Sequence, residues 1–119
     1  MGKKRNMLSL KKPEDRKAVD SLLGVERIEI LRILLSSQPM YLTEIARESK
    51  MDRTTLAYHL DILEKVGILT SEYKVLTEAG VKGKAARFYS VNTSRLSDVL
   101  EVMDEVKGLL PPHRLVTRN

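Results

Sequence analysis

Between Leu42 and Leu69 the chain reads LTEIARESKMDRTTLAYHLDILEKVGIL, a stretch whose caps, periodicity and closing glycine describe two short helices around a tight turn, followed directly by a strand. Thr43 is placed to cap the first helix, which directs Ile45 and Ala46 inward, and Asp52 is placed to cap the second. Leu56, Leu60 and Leu63 recur at i, i+4 and i+7, an apolar stripe that demands burial. Arg53, Thr54, Ala57, Tyr58 and Asp61 share the opposite face, where their donors, acceptors and small side chains suit base-pair edges. Gly67 ends the helix, since glycine adopts left-handed dihedrals without strain. The expected unit is a helix-turn-helix.

At 119 residues the chain has room for one core. Its net charge of +5 is unevenly distributed. Residues 1–20 hold seven Lys or Arg against three acids. Lys74, Lys82, Lys84 and Arg87 face only Glu78 in their segment, whereas residues 95–107 hold two bases and four acids. Such segregation favours a footprint for a polyanion over a uniformly solvated surface. Cysteine is absent, which excludes disulfides, thiolate nucleophiles and zinc–thiolate sites. No apolar stretch approaches the ~20 residues that span a bilayer, and the first residues lack the apolar region of a secretion signal, so a cytoplasmic protein is expected.

Residues 1–12 read as a basic arm, either solubilising or in contact with phosphates of a neighbouring groove. Pro13 suits a first helical position, and a helix from there to Leu23 would stop at Gly24. A second helix follows, with Ile28, Ile30, Leu31, Leu34 and Leu35 as a broad apolar face, and Ser36–Met40 as its exit loop. Beyond the helix-turn-helix, Ile68–Leu76 and Ala86–Val91 are strand candidates joined across Gly80 and Gly83, a β-wing. Thr93 or Ser94 would cap a last helix over Arg95–Leu110. Its Leu96, Val99, Leu100, Met103, Val106 and Leu110 form a seam that either closes the chain's own core or meets a second subunit. The second option is the reading adopted: residues 13–92 form the DNA-binding domain, 93–110 a dimerisation helix and 111–119 a tail. The fold class expected is mainly α with a two-stranded β-wing.

This order of elements is similar to the winged helix-turn-helix regulators of the ArsR type. The resemblance covers roughly residues 17–110 and rests on GVERIEILRILL, DRTTLAYHLDILEKVGIL and ARFYSV, where Val91 replaces the family's Leu. It implies a homodimeric transcription regulator, usually a repressor, that binds double-stranded DNA, with the terminal helix in the dimer interface. The family's metal-sensing cysteines and His–acid clusters are missing. His59 and His113 lie on segments with different tasks, so neither a metal nor another cofactor is expected, and any small-molecule effector is unassigned.

The residues expected to meet DNA are Thr43, Arg53, Thr54, Thr55, Tyr58, His59, Lys82, Lys84 and Arg87. Arg53 can reach guanine O6 and N7 in bidentate fashion. Thr54 suits a phosphate or a thymine methyl group, and Thr55 either does likewise or turns its hydroxyl to the backbone. Tyr58 suits a phosphate or a base edge. His59 either reaches a phosphate or hydrogen-bonds inside the fold, and Asp61 either accepts from a cytosine or repels the backbone. The wing cations would bind without regard to sequence. No motif places a nucleophile beside a base, so the chain is not read as an enzyme. Two rival readings are a winged-helix docking module of a transcription assembly and a non-specific DNA-coating protein.

Overall fold

In the computed structural model, which describes residues 8–77, 80 and 83–109, the chain begins with helix α1 (Pro13–Asp20). A 3-10 turn (Ser21–Leu23) leads to α2 (Val25–Leu35). Then come the short strand β1 (Met40–Tyr41), α3 (Leu42–Ser49), α4 (Arg53–Lys65), β2 (Leu69–Val75), β3 (Ala85–Val91) and α5 (Thr93–Lys107). The helix expected to run unbroken from Pro13 to Leu23 therefore tightens at Ser21, whose hydroxyl donates to the Ala18 carbonyl at 2.7 Å. The basic arm falls largely outside the described residues, as do Lys82, Leu110 and His113.

The wing is one strand larger than expected. Met40 and Tyr41, assigned from sequence to a loop and its edge, pair with Tyr89 and Phe88 of β3. The result is an antiparallel sheet in the order β1-β3-β2. Two residues carry no readable alternation, and the pairing depends on β3 arriving from far along the chain. The β2–β3 register sets Leu69 against Val91, Ser71 against Tyr89 and Tyr73 against Arg87.

Leu56, Leu60 and Leu63 of α4 are fully buried, as predicted, among Ile30, Ile45, Ile68 and Val99. At about 25 cal/mol per Å² of apolar surface, each of these side chains stabilises the fold by roughly 1.5–3 kcal/mol relative to exposure. On α2 the face is narrower than its sequence suggested. Ile30, Leu31 and Leu34 are buried, but Ile28 and Leu35 are 53% and 54% exposed.

The termination of α4 sets the approach of the sheet. Gly67 has φ +86° and donates its amide to Glu64 at 3.0 Å, while the Ile68 amide donates to Leu63 at 3.0 Å. This reciprocal cap turns the chain into β2. The turn between α3 and α4 uses Lys50 at φ +62°, a left-handed position for a residue with a Cβ.

Two capping expectations are corrected. Helix α3 begins at Leu42, so Thr43 lies inside its first turn, and the Tyr41 amide donates to the Glu44 carboxylate at 3.2 Å. Helix α5 begins at Thr93, and Asn92 rather than Thr93 or Ser94 accepts the Arg95 amide, at 3.2 Å.

Candidate nucleic-acid interface

The outer face of α4 stands free of its own chain. Arg53, Thr54, Thr55, Ala57, Tyr58 and Asp61 are all exposed, with Tyr58 at 59%, over a back face of leucines at 0%. Asp52 caps this helix as expected. Its Oδ2 accepts the Thr55 amide at 3.0 Å and the Thr55 hydroxyl at 3.1 Å. Those bonds, the amide first, hold the Asp52 carboxyl below its ordinary range. The Thr55 hydroxyl is thus turned to the cap while the residue stays exposed on the outer face. Asp61 is paired with Lys65 at 3.0 Å.

Thr43 is tied to Arg53 instead of to its own helix start. Arg53 Nη1 donates to Thr43 Oγ1 at 2.9 Å, so α3 orients the guanidinium at the first turn of α4. His59 takes the internal option. Its Nδ1 accepts from Arg27 Nε at 3.0 Å, and Arg27 Nη1 donates to the Ser21 carbonyl at 3.3 Å. Burial, then the neighbouring Arg27 charge, lower the His59 pKa, against a smaller opposing effect of Glu26. The imidazole, packed beside the Arg27 guanidinium, thus braces α4 against α2.

An open groove runs between α3, the start of α4 and the wing. Arg47, Arg53, Lys84 and Arg87 line it, together with Thr43, Tyr73 and Tyr89. Arg87 is anchored there: Nη2 donates to the Tyr73 hydroxyl at 3.1 Å, the guanidinium lies 5.2 Å from that ring's centre, and Nη1 is 3.6 Å from Glu64. Its bonds to Tyr89 and Tyr73 raise its pKa, with Tyr89 the larger cause. Lys84 is exposed, and its carbonyl accepts the Leu76 amide at 2.6 Å where the wing strands close. Arg47, Tyr73 and Tyr89 were missed from sequence. Arg47 lies four residues after Thr43 on α3, a spacing that could have found it, whereas the tyrosines reach this face only through the β2–β3 register.

The seam of α5 divides. Leu96 and Val99 are 7% and 0% exposed inside the chain's own core, joined by Val102 at 8%. Leu96 and Val99 therefore help close the domain, and Leu96 also lines an apolar channel between α2 and α5. Leu100 is 48% exposed and Met103 half-buried. The side chain of Val106 and the whole of Leu110 lie outside the described residues.

One buried ion pair locks α5 to α1. Arg95 Nη1 lies 3.1 Å from Asp15 Oδ1, and its Nε donates to the Val66 carbonyl at 3.1 Å beside Gly67. The Ser9 amide, at 2.9 Å, is the largest influence holding the 5%-exposed Asp15 carboxyl below its usual range; burial opposes it, and Arg95 assists. Among the described residues, no group of three or more His, Cys, Asp or Glu is gathered to hold a metal ion. Nor is any helix of the described residues long and apolar enough to cross a membrane.

Two packed helices, an exposed polar second helix and a cationic hairpin define a winged helix-turn-helix protein. Residues 26–72 match the family described as a helix-turn-helix domain. Over 80 residues it is 28% identical to an uncharacterized HTH-type transcriptional regulator of Methanocaldococcus jannaschii, covering 67% of this chain and 80% of that protein. An ArsR family transcriptional regulator of known crystal structure superposes with a TM-score of 0.61 at 18% identity, over 81% of this chain and 94% of the other. A homodimeric winged helix-turn-helix DNA-binding domain from Mycobacterium bovis, solved by NMR, gives a TM-score of 0.62 at 17% identity, over 95% and 96% of the two chains. The chain shares the winged helix-turn-helix fold of these two solved structures.

Proposed function

We propose that the chain is a sequence-specific, double-stranded-DNA-binding transcription regulator that acts as a homodimer on a pseudo-palindromic operator, with repression as its default output. The observation that carries the reading is the outer face of α4: an exposed polar row on a helix whose back is sealed, flanked by a groove of four cations. Arg53, held by Thr43, reads a guanine, and Thr54 and Tyr58 read or brace the adjoining edges. Arg47, Lys84 and Arg87 take the phosphates on either side, with Lys82 expected to join them.

One recognition helix spans too few base pairs to single out a site in a genome, and a two-fold pair doubles the information. The surface suited to that pairing is the groove between α2 and α5, where Ile28, Leu35, Leu100 and Met103 line an apolar channel. Leu96 lines the same channel, whereas Val99 is sealed in the core. The M. bovis domain of the same fold is homodimeric, which supports two-fold pairing. Half-sites about one helical turn apart, ~34 Å, follow from two-fold docking.

Selection of bound fragments from a random duplex library tests the proposal. A two-fold motif bound more than ~10³ times tighter than bulk DNA is the expected result. Affinities within about tenfold of bulk DNA would identify a coating protein instead.

A further inference from the structure

A cleft of about 810 Å³ lies between α1, the 3-10 turn, the start of α2, the end of α4 and the start of α5, outside the groove assigned to DNA. That size falls within the ~300–1,000 Å³ typical of small-molecule sites. Pro13, Ile62 and Val66 supply an apolar wall. Four cations line it, and their commitments differ. Arg95 is bound to Asp15 and the Val66 carbonyl, and Lys65 is paired with Asp61. Arg27 spends Nε on His59 and Nη1 on Ser21, which leaves Nη2 without a recorded bond among the described residues. The Lys17 ammonium likewise has no ion pair among them.

We propose that this cleft is an effector site for a small monocarboxylic acid with an apolar body, whose carboxylate meets Arg27 and Lys17 while its body lies on Ile62 and Val66. Glu14 and Asp20 also line the cleft, and their charge opposes a dianion while tolerating a monoanion. The carboxylate takes the Nη2 left over by those two bonds, on the same guanidinium that braces His59, the neighbour of Tyr58 on α4. The first part of the inference needs no DNA; the consequence for operator affinity rests on the function proposed above.

The test is an NMR titration of the full chain, without DNA, with benzoate, phenylacetate and hexanoate, and with benzyl alcohol as the uncharged control. At least one acid is expected to give saturable shifts at the Val66 and Gly67 amides and at Arg27 Nε–H below about 10 mM. Benzyl alcohol should bind about tenfold more weakly or worse, the loss expected when a charge-assisted bond is removed. Arg27→Gln and Lys17→Gln should each weaken the acid by at least about fivefold. Lys17 is exposed, so its variant keeps the fold and the test stays decisive if Arg27→Gln does not. No saturable shift from any of the three acids, an equal response to the alcohol, or unchanged binding in Lys17→Gln would overturn the proposal. None of those outcomes bears on the reading of α4, which the library selection tests separately.

Discussion

Asp15→Asn removes one charge and almost no volume from the carboxylate that joins the Ser9 amide to Arg95, so it isolates the electrostatic part of those contacts. Breaking a dry, buried ion pair costs about 3–5 kcal/mol. Here the Asp15 side chain is 7% exposed but that of Arg95 is 23% exposed, so water reaches the abandoned guanidinium. Arg95 also keeps its bond to the Val66 carbonyl. Losing one charge-assisted hydrogen bond, typically 1.5–3 kcal/mol, is therefore the better measure, and we predict a destabilisation of about 2 kcal/mol at neutral pH. For a chain of this size that lowers Tm by roughly 10 °C. Urea melts of both proteins across pH give a second, independent readout. The Asp15 carboxyl titrates lower in the folded chain than in the unfolded one, so its contribution is complete above the unfolded value of about 3.9 and is lost as pH falls through the folded value. The stability gap between the two proteins should accordingly be constant from neutral pH down to about 4 and close below it. A gap under about 0.5 kcal/mol at pH 7, or one that persists unchanged at acid pH, would refute the assignment of Asp15–Arg95 as the lock.

Arg53→Ala should relax base preference at one position in each half-site, a loss of about 1–3 kcal/mol in discrimination, measured by repeating the library selection; an unchanged motif would remove Arg53 from direct readout. Arg47→Ala combined with Lys84→Ala should weaken binding to all sequences alike and shallow the slope of log affinity against log salt by about 2, which fluorescence anisotropy at several salt concentrations checks. Lys50→Gly should stabilise the fold by roughly 0.5–1 kcal/mol, because it relieves a left-handed φ at some expense in chain entropy; a loss in urea midpoint would contradict that account of the turn. Ile28→Glu with Leu100→Glu should leave a folded monomer by sedimentation, and a surviving dimer would place the interface elsewhere.

Much of the fold was legible because local rules and tertiary structure agree. The leucine stripe of α4, its Asp52 cap and its Gly67 stop each follow from a few neighbouring residues, and each is in place. What escaped was long-range. The α1–α5 lock joins residues 80 apart in sequence, and nothing in a local window distinguishes Asp15 from its exposed neighbour Glu14. The same holds for β1, whose two residues become a strand only against β3. At the candidate site, periodicity identified the face of α4 but not the partner of each side chain. Arg53 and His59 are both polar residues on that helix, yet one is tethered at the surface by Thr43 and the other drawn inward by Arg27. The α5 pattern was ambiguous for a physical reason: an apolar seam reads alike whether it faces its own core or another chain, and here it does the first at Leu96 and Val99.

The central claim is that the exposed face of α4 reads duplex sequence in a two-fold pair. Sequencing the genomic fragments retained by the purified protein at physiological salt, with its mass measured in solution, tests that most directly. The account predicts one recurrent motif with two-fold character and a mass of about 27 kDa, twice the 13.5 kDa chain. Fragments that sample the genome evenly, or a motif bound by a monomer, would contradict it.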